Sequence, residues 1–296
     1  MELLSGKQVS EQRKKVIKET IERCRPLAGR PPCLVAVIVG SNGASETYVA
    51  SKEKNSHEVG MSSHILRLPM EISQAALMDE IQKLNEDDQV DGFIIQLPLP
   101  SHLDEKAITF AIDPAKDVDG FHPYNTGLML KGLPTFLPAT PYGVMLMLEY
   151  YQIPTAGKHA VVIGRSDIVG KPMAALLSRN TNPGNCTVTM CHSRTANLDF
   201  HTLQADILVV ASGIPEMIHG HQVKEGAVVI DVGITRVSDP NHPKGFVIKG
   251  DVHFESVAPK SSFITPVPGG VGLMTITGLL QNTLLAWSRR FQLGLD

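Results

Sequence analysis

The stretch His159-Ala-Val-Val-Ile-Gly-Arg-Ser-Asp-Ile-Val-Gly-Lys-Pro-Met173 decides how this chain is read. A run of apolar β-formers, Ala160 to Ile163, breaks at Gly164, and a helix restarts near Met173. Strand, glycine turn and helix are the parts of a nucleotide-binding βα unit, in which backbone N–H groups and the helix N-terminus face a pyrophosphate. The spacing is not G-x-G-x-x-G: Gly164 and Gly170 stand six apart, with Arg165 and Ser166 at the tip. A glycine turn alone is a weak signal, so the next strand has to decide.

That strand is Thr187-Val-Thr-Met-Cys191, followed by His192-Ser193-Arg194-Thr195. An NAD site ends its second strand with Asp or Glu, whose carboxylate accepts from the ribose 2′-hydroxyl. Here a hydroxyl and a guanidinium stand in that place, with Arg165 available from the first turn. Cationic donors suit a 2′-phosphate, which predicts NADP as cofactor. Ser193 and Arg194 taken alone are equally a basic solvated loop; the glycine turn one strand upstream favours the cofactor reading.

The chain has 296 residues, room for two domains or one large one, and its 43% hydrophobic and 19% charged content is that of a soluble globular enzyme. A formal charge of −3 argues against nucleic acid or an anionic membrane as partner. No secretory signal and no membrane span is readable; Gln281 and Asn282 interrupt even the apolar residues near the C-terminus. The four cysteines form no C-x-x-C pair and read as reduced thiols of a cytoplasmic protein. The histidines lack ligand spacing, and the close pair His219 and His221 has no second pair in sequence, so no metal is expected.

Along the chain, Val16, Ile17, Thr20, Ile21 and Cys24 share a face of an opening helix, which Pro26 and Gly29 should end. Strands are expected at 34–39, 64–68 and 90–97, alternating with a helix from about residue 45 to before Gly60 and with a stripe of Ile72, Ala75, Ala76, Ile81 and Leu84. Residues 113–141, rich in Pro and Gly, read as loops, and a helix is expected over 143–150. Further strands near 160–163, 187–191, 207–211 and 228–232 follow, then the glycine-rich 265–272 and a helix over 275–291. This alternation predicts parallel sheets covered on both faces.

Several residues offer chemistry. Tyr48 and Lys52 project from one helix face, an aromatic surface beside a proton-transfer group, although Lys52 in Lys-Glu-Lys54 also reads as a solvated charge. Gln96 stands at the carboxyl end of a buried strand, where ligands bind in open α/β sheets, and serves there as a strand-end cap or as a holder of an amine. Lys116-Asp-Val-Asp-Gly120 presents two carboxylates, fit for acid–base work or for an Asx-turn. The segment 266–272 permits close backbone approach to a flat ligand, or is a tight turn.

Six motifs, in order and spread over nearly the whole chain, resemble the bifunctional methylenetetrahydrofolate dehydrogenase/methenyltetrahydrofolate cyclohydrolase (FolD-type) family. They are Tyr48-Val-x-x-Lys-x-Lys54, Gln96-Leu-Pro-Leu99, Lys116-Asp-Val-Asp-Gly120, Pro138-Ala-Thr-Pro141, Gly164-Arg-Ser-x-Ile-Val-Gly-x-Pro172 and Thr265-Pro-Val-Pro-Gly-Gly-Val-Gly272. The resemblance implies that Lys52 is the general acid/base, that Gln96 positions it, that the Tyr48 ring packs on the folate, and that Asp119 anchors the pterin's amino-pyrimidine edge. It implies that Ile95, Leu97, Pro268, Gly269, Gly270, Val271 and Gly272 line the folate site. Gly164, Arg165, Ser166, Ser193, Arg194 and Ile234 would contact NADP. At Leu273 the family usually has Pro, whose loss is expected to free an N–H and loosen the loop. Asn182-Pro-Gly-Asn185 resembles a small insertion that only lengthens a surface turn.

The resulting expectation is an α/β protein with two domains around a cleft. One is an N-terminal three-layer α/β domain, 1–140 with 275–296, that binds folate; the other is a Rossmann-like NADP-binding domain, 141–274. The implied activity is oxidation of 5,10-methylenetetrahydrofolate with NADP and hydrolysis of the methenyl product to 10-formyltetrahydrofolate, in a cytoplasmic homodimer. A monofunctional dehydrogenase, an NADP-dependent dehydrogenase of the shikimate or amino-acid type, and a non-catalytic NADP sensor are the competing readings.

Overall fold

The computed structural model describes residues 1–40, 43–240, 242–243 and 245–295. Its elements in chain order are β1 (Glu2–Leu3), α1 (Gly6–Ala28), β2 (Cys33–Val39), α2 (Gly43–Glu58), β3 (Ser62–Leu68), α3 (Gln74–Glu86), β4 (Gly92–Ile95), α4 (Glu105–Ala111), α5 (Pro123–Leu130) and α6 (Ala139–Tyr150). Then come β5 (His159–Ile163), α7 (Gly170–Ser178), β6 (Thr187–Cys191), α8 (Leu198–Thr202), β7 (Ile207–Val210), β8 (Ala227–Asp231), β9 (Thr235–Ser238), β10 (Phe246–Lys249), α9 (Phe254–Val257), β11 (Ser261–Ile264) and α10 (Val271–Phe291). The chain forms two compact units: a first of Gln12–Ala139 with Ile276–Asp296, and a second of Met1–Glu11 with Thr140–Thr275. The opening residues, expected with the rest of 1–140, fall in the second unit, because β1 pairs with β11 through Leu3 and Ile264.

The first unit is built on the parallel sheet β3-β2-β4. β2 (Cys-Leu-Val-Ala-Val-Ile-Val) is an unbroken apolar run, as a strand covered on both faces requires. Leu77 and Ile81 of α3 and Ile108 of α4 cover one face. Val49 of α2 and Leu279 and Ala286 of α10 cover the other. Each of these Val, Leu and Ile side chains, fully buried, contributes roughly 1.5–3 kcal/mol relative to exposure.

Several expectations for this unit are corrected. α1 continues through Pro26 to Ala28, where Gly29 takes a φ of +76°, and Val16 points to solvent while Ile17, Ile21 and Cys24 are buried. α3 buries Leu77 and Ile81, whereas Ala75 and Ala76 are exposed and Ile72 precedes the helix. β4 is shorter than 90–97. Residues 113–141 are not all loop: His122 caps α5, with Pro123 in its first turn where a missing N–H costs nothing. Ser41 and Asn42, between β2 and α2, lie outside the described residues.

The second unit holds a six-stranded parallel sheet in the order β1-β11-β8-β7-β5-β6. The chain leaves β5 for β6 on one side and then for β7 on the other, so its direction of winding reverses at β5–β7. Ala160, Val161, Leu208, Val209 and Val229 are fully buried. β9 and β10 add a separate antiparallel pair that the sequence pattern did not announce. Residues 182–185 are more than a longer surface turn, since the buried Gly184 donates to Thr155 Oγ1 at 2.9 Å and the Asn185 carbonyl accepts from Gly157 N at 2.9 Å. The four cysteines are buried and unpaired. Among the described residues no helix is long and apolar enough to cross a membrane.

Candidate active site

In the first unit α2 and the end of β4 bring Tyr48, Lys52 and Gln96 together. Lys52 is only 5% exposed, so it is no solvated helix charge. Its Nζ donates to Gln96 Oε1 at 3.1 Å and stands 4.7 Å from the centre of the Tyr48 ring. The Gln96 amide is oriented from its other end, where Nε2 donates to the Leu97 carbonyl at 2.8 Å. An amide so anchored offers its oxygen to an amine in either protonation state. Burial pulls the Lys52 pKa down, and the Asp119 charge opposes that shift. Burial likewise pushes the Asp119 carboxyl up, against the pull of Lys52.

The turn between α4 and α5 carries Asp119, and each member of Lys116-Asp-Val-Asp-Gly120 has its own task. Lys116 is buried and donates to the Leu84 and Asp87 carbonyls at 2.8 and 2.7 Å, closing the C-terminus of α3. Asp117 does not form the expected Asx-turn, which would bond two residues on; its carboxylate reaches further and accepts from Phe121 N, His122 N and Asn125 Nδ2, tying the turn to the start of α5. Burial pushes its pKa up to about 7. Gly120 has a φ of +73°, and a Cβ there would lie 2.7 Å from Pro138 N, so only glycine lets Asp119 sit where it does. A narrow crevice of about 10 Å³ runs past Ile95, Leu97, Asp117, Asp119 and Phe121. The Ile95 side chain itself belongs to the core beneath.

One contributor went unread in the sequence. Asn282, 1% exposed on α10, donates through Nδ2 to the carbonyls of Val118 and Leu137, both at 2.8 Å, and so pins the backbone on either side of Asp119-Gly120. The signal was an amide inside an otherwise apolar helix, the same residue that breaks the apolar run near the C-terminus.

In the second unit the glycine turn has the form expected. Gly164 has a φ of +122°, and a Cβ on it would lie 2.3 Å from the Ala211 carbonyl oxygen. A Cβ on Gly170 would lie 2.2 Å from the Gly164 carbonyl oxygen. The helix N-terminus therefore packs directly on the strand end, as a phosphate cradle needs. Ser166 Oγ accepts from Val169 N and Gly170 N, both at 3.2 Å, which closes the turn into α7 and leaves the hydroxyl hydrogen to donate outward. Arg165, Ser193 and Arg194 are exposed. The turn after β6 is held by His192 and Thr195: His192 N donates to Thr195 Oγ1 at 2.9 Å, and Arg194 N to His192 Nδ1 at 3.2 Å.

The segment 268–272 is only partly a loop. Val271 and Gly272 already belong to α10, and Val271 is buried, so of the residues expected to line a ligand only Pro268, Gly269 and Gly270 remain loop. Ile234 is 57% exposed and lies over Gly272, where a Cβ would meet its Cδ1 at 2.6 Å. The N–H that Pro would lack at Leu273 is not left loose; it donates to the Gly270 carbonyl at 3.3 Å. Elsewhere the structure supplies companions for His219 and His221 that sequence distance hid. His253 stacks on His219 at 4.8 Å, and His253, Glu216 and Glu255 bring ligand atoms within 4.8 Å of one another. Glu216 is held by Lys249 and His253 Nδ1 by Ser256.

A glycine turn between strand and helix on one α/β unit, and on the other a buried lysine held by a strand-end amide beside an aromatic ring, are the features that the family comparisons meet. Residues 4–119 match the catalytic domain of tetrahydrofolate dehydrogenase/cyclohydrolase, and residues 138–291 match its NAD(P)-binding domain. The chain belongs to the tetrahydrofolate dehydrogenase/cyclohydrolase family. The bifunctional protein FolD of Flavobacterium johnsoniae is 56% identical over 290 residues, 98% of each chain. Among solved structures, the bifunctional FolD enzyme of Campylobacter jejuni is 46% identical, with a TM-score of 0.92 over 98% of this chain and 99% of that one. The dehydrogenase–cyclohydrolase of Trypanosoma brucei, solved with NADP and an inhibitor, is 37% identical, with a TM-score of 0.91 over 97% of each chain.

Proposed function

We propose that this chain oxidises 5,10-methylenetetrahydrofolate with NADP and hydrolyses the resulting 5,10-methenyltetrahydrofolate to 10-formyltetrahydrofolate. The observation that carries the reading is the buried Lys52 with Nζ 3.1 Å from Gln96 Oε1, inside a chain whose bifunctional relatives match it end to end. The first unit takes the folate, and the second takes the dinucleotide.

The residues present fit NADP. Glycine at 164 and 170 lets the end of β5 and the N-terminus of α7 pack backbone to backbone, as a pyrophosphate cradle needs, and β6 ends without an acid but with Ser193 and Arg194 exposed. When bound, NADP supplies the hydride acceptor. Arg165, Ser193 and Arg194 bind the 2′-phosphate, and Ser166 donates to the pyrophosphate.

Lys52 carries the second step. Its neutral amine takes a proton from the water that adds to the methenyl carbon; the protonated lysine returns that proton to N5 as the carbon–N5 bond breaks, and the new hydroxyl loses its proton to solvent as it becomes the formyl carbonyl. Burial lowers the pKa of Lys52, which is what a lysine needs to serve as a base near neutrality. Gln96 holds the amine in line, the Tyr48 ring packs on the folate and faces the lysine, and Asp119 accepts from the pterin's amino group. Lys52 and Gln96 so arranged favour the bifunctional reading over a dehydrogenase alone. The family resemblance supports a homodimer, and the unpaired cysteines suit the cytoplasm.

The test follows methenyl absorbance on mixing the protein with methylenetetrahydrofolate and NADP. The signal is expected to rise and then decay faster than in buffer. A signal that rises and decays only at the uncatalysed rate leaves a dehydrogenase alone, and no rise with either NADP or NAD removes the reading.

A further inference from the structure

Beyond the residues assigned so far, the second unit holds a buried carboxylate that none of the above uses. Asp251 follows β10 and is 0% exposed. Its Oδ2 accepts three hydrogen bonds from the loop after β7: Ser212 N at 2.6 Å, Ser212 Oγ at 3.0 Å and Gly213 N at 2.8 Å. Its Oδ1 is buried and has no hydrogen-bond partner among the described residues. Leaving a buried charged oxygen unpaired is unfavourable, so such a group calls for a physical reason.

The surroundings supply one. The Asp251 N–H donates to Asp231 Oδ1 at 2.9 Å, at the end of β8, and Asp231 Oδ1 also accepts from Gly233 N at 2.9 Å. Ser212 Oγ passes the link on by accepting from Ile214 N at 3.2 Å. Glycines make room for both carboxylates. A Cβ on Gly233 would lie 2.2 Å from Asp251 Oδ1, and one on Gly250 would lie 1.9 Å from Asp231 Oδ2. The chain ends leaving β7 and β8 are thereby tied to one another through two acids. What they present is apolar: Ile214 is 55% exposed and Ile234 is 57% exposed.

Their position in the sheet says what meets them. In the order β8-β7-β5-β6, the glycine cradle closes β5 and the exposed Ser193 and Arg194 follow β6. A dinucleotide laid across the carboxyl ends with its pyrophosphate on the cradle and its 2′-phosphate beyond β6 must extend its other half over β7 and β8. We infer that Asp251 is a positioning residue that clasps the loops after β7 and β8 so that Ile214 and Ile234 form the surface under the nicotinamide half of NADP. The inference rests on the NADP reading above. The charge at Asp251 strengthens three bonds to one loop, since hydrogen bonds to an ionised acceptor are about twice as strong as neutral ones. The unpaired Oδ1 is the cost of that arrangement.

The experiment compares the wild type with Asp251→Ala, Asp251→Asn and Ser212→Ala. Amide exchange of residues 212–214 without cofactor reads the clasp directly. It is expected to quicken most in Asp251→Ala and by less in Asp251→Asn, which keeps one acceptor oxygen but loses the charge. NADP affinity by calorimetry is expected to fall about tenfold or more in Asp251→Ala, because binding must then order a loop that the clasp had pre-ordered, and severalfold in Ser212→Ala. With methylenetetrahydrofolate deuterated at the methylene carbon, the kinetic isotope effect should rise as hydride transfer becomes limiting. Hydrolysis of preformed methenyltetrahydrofolate without NADP should persist in every variant. Unchanged NADP affinity and isotope effect in Asp251→Ala would overturn the inference, as would a parallel loss of hydrolysis. If Asp251→Ala does not fold, unchanged affinity in Ser212→Ala overturns it instead. A wild type that binds no NADP at all would instead remove the cofactor reading itself, whatever amide exchange shows.

Discussion

Lys52 Nζ and Gln96 Oε1, 3.1 Å apart, connect the middle of α2 to the end of β4, so the amine is aimed by a strand-end amide rather than by another charge. A neutral acceptor holds the lysine without stabilising its protonated form as a carboxylate would, and burial can then lower its pKa.

Replacing that lysine separates the two activities. Lys52→Met keeps the length and apolar stem but removes the base, so hydrolysis of methenyltetrahydrofolate should fall by roughly two to four orders of magnitude, the usual worth of general base catalysis. Hydride transfer needs only that the two ligands be held in register, so part of the dehydrogenase activity should survive and the methenyl compound should accumulate. Tyr48→Phe, which retains the ring, should be milder. Wild-type hydrolysis in Lys52→Met, followed by methenyl absorbance, would return Lys52 to a structural role.

Asp119→Asn should lower both activities together while calorimetric NADP affinity is unchanged, because the acid acts on the folate that both steps share. It also has a pH signature. The Asp119 charge raises the Lys52 pKa against burial, so neutralising it lets the lysine pKa fall further. The base must be unprotonated, and hydrolysis rises as pH passes through the lysine pKa. In Asp119→Asn the rising limb of the hydrolysis profile therefore moves to lower pH. A limb that stays in place, or moves up, contradicts the coupling.

Cofactor choice should rest on the exposed cations after β5 and β6. Arg165→Ala with Ser193→Asp is expected to raise KM for NADP by one to two decades, about 1.5–3 kcal/mol for a charged contact to phosphate. NAD use should be little changed or improved, since the new carboxylate can accept from a ribose hydroxyl. The check is kcat/KM with both cofactors, and a wild type equally efficient with NAD defeats the assignment outright.

The legible part of this molecule was what local chemistry alone dictates. The run ending at Ile163 and the glycines at 164 and 170 announced the cradle because a tight turn admits few other residues. Gln96 at a strand end and Lys52 on α2 were visible as candidates, but only packing shows Lys52 to be buried, since an isolated Lys-Glu-Lys reads equally as surface. Contacts between distant segments were not readable. Asn282 reaches Val118 across more than half the chain, and β1 joins β11 through residues too few to show a pattern. α5 was hidden because Pro123 reads as a loop former when its capping His122 is not seen in place.

Asp117 offers a test of stability rather than activity. Its pKa stands at about 7 in the fold against an ordinary carboxylate value of 3.8, raised chiefly by burial. An acid whose folded pKa is raised favours the folded state while it remains protonated. Its contribution is complete below the ordinary carboxylate range and is lost as pH rises through about 7. The wild type should therefore lose stability between pH 4 and pH 7 through this group, by roughly a few kcal/mol, one pKa unit being about 1.4 kcal/mol. Asp117→Asn keeps an oxygen to accept from the His122 or Phe121 N–H but cannot ionise. It should be the less stable protein at low pH, where the acid is neutral and well bonded, and should lose less on going to pH 7. Urea midpoints of both proteins at a series of pH values decide the matter, and parallel curves for the two would show that Asp117 stays ionised in the fold throughout that range.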